Sequence, residues 1–274
     1  MKLVTFKKLD GRVVVGELRG DDLYSLGTRL SMKEIAAGDK LPSRDESFKV
    51  MKHKGITMPL MPSKLIAVGR NYAEHAAELN NALPEKPLIF AKYPSCVIGT
   101  GDVIQWKQAV TQQVDWEGEL CVVIGKRAKF ISEDEAYDHI FGYTIANDVS
   151  ARDLQSSDKQ WTRAKGHDTF CPLGPAIVTK DDIPDPHNLR IVTSVNGETM
   201  QDGNTKDMIF KIPFLVSYLS QTFTLEAGDL ILTGTPSGVG KGMIPPRFLQ
   251  NGDEVSVTIE GIGTLTNTCQ ILDV

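Results

Sequence analysis

The stretch Val114-Asp115-Trp116-Glu117-Gly118-Glu119-Leu120-Cys121-Val122-Val123-Ile124-Gly125 decides how this chain is read. Its second half is apolar and β-branched, which marks a buried strand. Its first half carries an acid at every second position. Side chains alternate across a strand, so Asp115, Glu117 and Glu119 are predicted to share one face. Three carboxylates on one face repel one another. Water screens that repulsion at an exposed edge, whereas a buried face needs a cation. The alternation alone fits an exposed acidic edge equally well. The apolar run directly after it favours burial, because a strand entering the core does not carry acids with it unless something binds them.

The run Phe141-Gly142-Tyr143-Thr144-Ile145-Ala146 reads as a second strand, ending in Asn147-Asp148-Val149-Ser150. Asp148 at its exit is a further acid candidate; the competing reading is a turn, or a cap for the next segment of chain. Carboxylates alone make a hard-oxygen site, suited to Mg²⁺, Mn²⁺ or Ca²⁺ and poorly suited to zinc.

Short β-like runs surround this pair: Lys64–Val68, Leu88–Ala91, Ala176–Val178, Arg190–Val195, Asp229–Thr233 and Glu254–Ile259. Helical patterns are few. Asn71–Leu79 is one, and Ser132–Asp138 another, with Ser132 and Glu135 as a capping box. The clearest is Asp207–Leu219, where apolar residues recur at helical spacing. Strands and helices do not alternate regularly, so a doubly wound sheet is disfavoured. The predicted class is α+β, mainly β, with a few covering helices. Residues 1–55 read as a small β-rich N-terminal domain and residues 56–274 as a second, larger one. The former opens with a hairpin, Lys2 to Leu18, turning at Leu9-Asp10-Gly11. A short helix is expected over Ser31–Ala37 with Ser31 as its cap, then a charged link from Gly38 to Lys54.

The 274 residues are 41% hydrophobic and 24% charged with net charge −5, an ordinary globular composition. There is no basic stripe, which argues against a nucleic-acid partner. No apolar run approaches a membrane span, and the N-terminus lacks a signal-peptide core. A cytoplasmic protein is the default expectation. Cys96, Cys121, Cys171 and Cys269 form no CxxC pair, so buried free thiols are expected.

Within Val68-Gly69-Arg70-Asn71-Tyr72-Ala73-Glu74-His75-Ala76-Ala77-Glu78, His75 and Glu78 stand three apart. On a helix they are neighbours. A carboxylate beside an imidazole fixes its tautomer and raises its basicity, as a general base requires. Such a pair alone is a weak motif and equally describes a surface contact. The glycine-rich Thr233–Gly240 lacks the Gly-Lys-Ser/Thr ending of a phosphate loop. A tight turn offering N–H groups and the Thr235 hydroxyl to a carboxylate is more economical.

Together these segments resemble the fumarylacetoacetate hydrolase family. The resemblance rests on GRNYAEHAAE (69–78), KPLIFAKYPS (86–95), DWEGELCVVIGK (115–126), GYTIANDVSARDLQ (142–155), DTFCPLGP (168–175), VNGETMQDGNT (195–205) and GDLILTGTPSGVG (228–240), in the family's order. It implies a mixed β-roll catalytic domain, in a homodimer. It implies one Mg²⁺ or Mn²⁺ on Glu117, Glu119 and Asp148, with Asp115 outside the ligand set. His75 and Glu78 would activate water on a segment that orders over bound substrate. Gln155 and Lys165 would act beside them, Thr235 would bind substrate, and Arg70, Tyr72 and Lys92 would line the mouth.

The implied substrate is a small 2-oxo acid. The first expectation is hydrolysis of a C–C bond in a 2,4-dioxo acid of the acylpyruvate type, through an enolate that the metal stabilises. Oxaloacetate decarboxylation comes second, and isomerisation or hydration of 2-oxo acids third. A non-catalytic metal-bound sensor is a remote alternative, since a sensor has no need of the His75–Glu78 pair.

Overall fold

The computed structural model describes residues 1–38, 40–45 and 47–272. Strands β1 (Lys2–Lys7) and β2 (Val13–Arg19) form the predicted hairpin. Gly11 in its turn has φ 91°, a region that disfavours a side chain. Strand β3 (Asp22–Ser25) adds to β2, and helix α1 (Met32–Ala37) starts on the Ser31–Glu34 capping box. The predicted link from Gly38 to Lys54 contains β4 (Phe48–Lys49), which pairs β3, and Asp39 and Glu46, which lie outside the described residues. Strand β5 (Gly55–Thr57) pairs the free edge of β1.

The larger part continues with β6 (Leu65–Gly69), α2 (Ala73–Glu78), β7 (Leu88–Lys92), β8 (Val97–Ile98) and β9 (Val103–Lys107). Its middle holds β10 (Val114–Asp115), β11 (Gly118–Ile124), β12 (Ile140–Asn147) and β13 (Ser150–Ala151). Helices α3 (Arg152–Asp158) and α4 (Thr162–Lys165) lead to β14 (Cys171–Thr179). The chain then makes β15 (Arg190–Val195), β16 (Glu198–Asn204), α5 (Ile212–Thr222), β17 (Leu230–Leu232), β18 (Glu254–Ile259) and β19 (Gly263–Leu272).

One large mixed sheet runs β4-β3-β2-β1-β14-β12-β11-β17-β6-β7, and a five-stranded sheet runs β16-β15-β18-β19-β9. The mainly-β class expected from the sequence is therefore the one observed. Strand β11 lies at the centre of the large sheet and is buried along its whole length. Leu120, Val122 and Ile124 face a core shared with α5 and the five-stranded sheet. Cys121 and Val123 face the opposite core. Burial on both faces explains why this segment is apolar without alternation. The second core also takes Met1, Leu3, Val15, Met32 and Ile35 from the first 55 residues, and Leu3 pairs Ile177 across β1 and β14.

Three local expectations are corrected. The acidic segment is not one strand: it breaks at Trp116-Glu117, and Asp115 pairs Ser150 in a separate two-stranded ladder. Ser132–Asp138 is not a helix. Glu135 does accept from the Ser132 N–H and hydroxyl, but the segment forms only a 3₁₀ turn, Ala136–His139. The last helix starts at Ile212 rather than Asp207, because Pro213 fits only a first turn. Met208 still reaches the core, from the turn before it. Strands β9, β16 and β19 were not foreseen; in β19 the polar Asn267 occupies an inward position between Leu265 and Cys269.

Because the first residues share a core with β11 and β14, truncating one is felt by the whole molecule. Leu3→Ala is expected to lower the unfolding free energy by about 2–5 kcal/mol in urea titrations, within a single transition. A separate early transition would mean that residues 1–55 fold apart from the rest.

Candidate active site

The pairing of β11 with β12 builds the acidic cluster. Gly118 lies opposite Asn147 and Glu119 opposite Ala146, so the start of one strand meets the end of the other. The Asp148 N–H donates to the Glu117 carbonyl at 2.8 Å. The Glu117 N–H donates to Asn147 Oδ1 at 3.0 Å. Gly118 between the two glutamates has no room for a side chain: a Cβ would stand 2.3 Å from Thr193 Oγ1. Glu117, Glu119 and Asp148 are buried, and each presents an oxygen within 4.8 Å of the others.

Charges around them are unevenly shared. Lys165 Nζ donates to Glu117 at 2.7 Å and to Asp148 at 2.6 Å. Lys92 Nζ donates to the other Asp148 oxygen at 2.5 Å. Arg152 bridges Asp115 and Glu117, at 2.7 Å each. Glu119 accepts the Gly234 N–H at 2.8 Å, and among the described residues no cation pairs with it. Burial pushes its carboxyl well above the usual range, and Asp148 and Glu117 add to the push. Burial also raises Glu117, but Lys165, Arg152 and His75 outweigh it and hold the group at about 2. A buried carboxylate without a counter-ion, in a set of three carboxylates, fits a hard divalent cation. Glu117, Glu119 and Asp148 are the residues that can hold it.

Asp115 is outside this set because it is already saturated. Besides Arg152, it accepts the N–H groups of Trp116 and Gly240, both at 2.8 Å, and of Lys241 at 3.0 Å. It thereby ties the 238–241 loop to the cluster.

Above the acids is a cavity of about 220 Å³, with His75, Thr235 and Arg70 on its walls and Glu117 and Glu119 at its floor. His75 is buried, and its Nδ1 lies 2.7 Å from Glu78 Oε1. The other Glu78 oxygen accepts the Gly238 N–H at 2.9 Å. Gln155 also lines the cavity and accepts from Arg152 at 3.1 Å. The Thr235 hydroxyl donates to the Gly118 carbonyl at 3.0 Å and accepts from Gln201 at 2.7 Å. Arg70 takes a positive φ of 58° at the rim, its guanidinium 6.0 Å from the Trp161 ring.

Two residues assigned to the mouth lie elsewhere. Lys92 comes two after Phe90 on β7 and so points to the same buried side, beneath Asp148, where it also donates to the carbonyls of Lys165 and Phe170. Tyr72 sits in the core with Val68 and Met208, its hydroxyl buried without a partner among the described residues. Arg152 was overlooked. It is fully buried, it lines the cavity, and among the described residues its Nη2 has no partner. It stands three before Gln155 at the start of α3, so helical spacing alone could have put both on one face.

The fold and site place the chain in a known class. Residues 64–270 match the model of the fumarylacetoacetate (FAA) hydrolase C-terminal family, and the chain belongs to that family. It is 45% identical to oxaloacetate tautomerase YisK of Bacillus subtilis (strain 168) over 269 residues, 97% of this chain and 89% of that one. It is 52% identical to mitochondrial oxaloacetate tautomerase FAHD2A of Bos taurus over 208 residues, 75% of this chain and 66% of that one. Among solved structures, a fumarylacetoacetate hydrolase from psychrophilic Exiguobacterium antarcticum superposes with a TM-score of 0.92 at 40% identity, covering 99% of this chain and 100% of that one. A 2-hydroxyhepta-2,4-diene-1,7-dioate isomerase from Mycobacterium marinum does so at 0.83 and 40%, covering 99% and 98%. The chain is thus an enzyme of this family. Among the described residues no helix is long and apolar enough to cross a membrane.

Glu119→Gln retains an acceptor for Gly234 but removes the uncompensated charge. Calorimetry should show Mn²⁺ affinity reduced by at least the ~10–100-fold that accompanies loss of an outer-shell partner. Without metal, the variant should melt no lower than the parent, because Gln is neutral in the buried site without having to take up a proton. Unchanged Mn²⁺ affinity would remove Glu119 from the ligand set.

Proposed function

We propose that this enzyme is a divalent-metal-dependent tautomerase that interconverts the enol and keto forms of a small 2-oxo dicarboxylic acid such as oxaloacetate. The observation that carries the reading is the cavity's construction. Glu117 and Glu119, from a carboxylate cluster one positive charge short, form its floor, and His75, oriented by Glu78, stands in its wall. The oxaloacetate tautomerase activity of the Bacillus subtilis and Bos taurus relatives supports the choice of reaction.

A Mg²⁺ or Mn²⁺ ion on Glu117, Glu119 and Asp148 would supply Lewis-acid polarisation of the substrate's keto oxygen and adjacent carboxylate. The remaining work falls to side chains. Glu78 occupies Nδ1 of His75, which leaves Nε2 to give or take a proton at C3. Glu78 also fixes the orientation of the ring. Arg152 Nη2 is a buried donor without a partner among the described residues, Gln155 lines the cavity beside it, and both suit a substrate oxygen that gains charge during the proton transfer. Lys165 holds Glu117 and Asp148 in place, and Thr235, already bonded to Gly118 and Gln201, shapes the wall.

Hydrolysis of an acylpyruvate is the second reading. The same pair can act on a water as well as on a carbon, and water activation is the role that the family resemblance implies for it. Decarboxylation of oxaloacetate needs no attacking water and stands closer to tautomerisation.

The deciding assay monitors ketonisation of enol-oxaloacetate, loss of oxaloacetate and cleavage of acetylpyruvate, each with Mg²⁺ or Mn²⁺ and with chelator. Metal-dependent ketonisation as the fastest of the three is expected. Faster cleavage of acetylpyruvate would replace the tautomerase with the hydrolase. His75→Ala should lower kcat for ketonisation by about 10²–10⁴-fold, the scale of general acid–base catalysis, while Mn²⁺ binding stays unchanged. Full activity in that variant would take His75 out of the proton transfer.

A further inference from the structure

We propose that Lys241 selects dicarboxylic substrates by pairing with the carboxylate remote from the Glu117–Glu119–Asp148 cluster. The inference rests on the 2-oxo acid reading of this site and assigns a residue to the second end of the molecule.

Lys241 lies in the 238–241 loop and lines the same cavity as Arg152, Gln155 and Ser156. Its backbone is pinned by the N–H bond to Asp115, so the stem of the side chain starts from a fixed point. The ammonium makes one hydrogen bond, to Ser156 Oγ at 3.2 Å, and no ion pair among the described residues. Ser156 in turn donates to the Arg152 carbonyl at 2.9 Å, so it is an acceptor for Lys241 and supplies no charge. Asp115 is the acid that acts on Lys241, but Arg152 and three backbone N–H groups already engage it.

The second observation is independent of the loop. Arg152 is fully buried, faces the cavity and keeps Nη2 unpaired. Two cations therefore share one wall, and burial together with Arg152 destabilises the charged form of Lys241. An anion between them would remove that repulsion and satisfy donors on both. The carboxylate cluster, with its cation, takes the 2-oxo acid end of the substrate. A four-carbon dicarboxylate places its second carboxylate away from that end, where a monocarboxylic acid offers only a methyl or acyl group.

The test uses the full chain with Mg²⁺, the variants Lys241→Met and Lys241→Arg, and two probes. One is 3,3-difluorooxaloacetate, which has no C3 hydrogen and cannot enolise. The other is oxalate, whose carboxylates both lie at the metal end. Calorimetry should show Lys241→Met binding difluorooxaloacetate about tenfold or more weakly, the scale of one charge-assisted hydrogen bond. Oxalate affinity should not change, and Lys241→Arg should restore most of the loss. With enol-oxaloacetate the defect should fall on KM rather than kcat.

Equal affinity of parent and Lys241→Met for difluorooxaloacetate would overturn the proposal. So would an equal loss for oxalate, which would make Lys241 a general source of positive potential. The tautomerase reading fails separately. If the parent binds difluorooxaloacetate through Lys241 yet does not accelerate ketonisation, the reaction is wrong and the subsite stands.

Discussion

The structure turns on a charge that the protein does not neutralise by itself. Asp115, Glu117, Glu119 and Asp148 are buried together, and Lys92, Lys165 and Arg152 are buried with them. The three bases pair with three of the acids in overlapping fashion and leave Glu119 with a single backbone N–H. Burying an ionised carboxyl without a counter-charge is among the costliest arrangements a fold can hold. A cluster one positive charge short is stable only as an apo form that carries one proton or as a cation complex. The first is the state towards which Glu119 is pushed, and the second is the state the carboxylates are spaced to accept.

The surrounding architecture keeps that deficit in place. Strand β11 is buried on both faces, so Glu119 cannot swing to water without breaking the central sheet. Gly118 admits Thr193 and Gln201 against the backbone between the two glutamates, and Gln201 caps the Gly118 N–H at 3.0 Å. Gly234, at φ 98°, brings its N–H onto Glu119 at a spot where a Cβ would meet Asn71 at 2.7 Å. The first residues of the chain, packed beneath β11 and β14, complete the covering layer.

Much of this was legible in the sequence because it depends on short-range geometry. The i,i+3 spacing put Glu78 beside His75, the strand-end position singled out Asp148, and the apolar run after Glu119 argued for burial. What escaped was set by distant partners. Asp115 looks like a third member of an acidic face until Arg152, 37 positions later, claims it. The break at Trp116-Glu117 carries no proline, and the glycine that follows it, Gly118, has no positive φ to mark a turn. Lys92 and Tyr72 fall in motifs near the site, yet strand parity sends Lys92 inward and the core takes the Tyr72 ring. Arg152 was missed although its neighbour Gln155 was chosen, because a charged residue at a helix start usually reads as solvated.

The anchoring of the 238–241 loop through Asp115 has a consequence for how such an enzyme can change. The loop carries the N–H that steadies Glu78, the rim ammonium of Lys241 and the two amides that hold Asp115. Asp115 in turn shares Arg152 with Glu117. The contacts of the proposed proton-transfer pair, of the proposed Lys241 subsite and of the acidic cluster therefore all lead to one guanidinium. A lineage that swaps this loop perturbs the His75–Glu78 contact and the acidic cluster in the same step. Diversification should proceed through side chains that project from the loop rather than through its length or path.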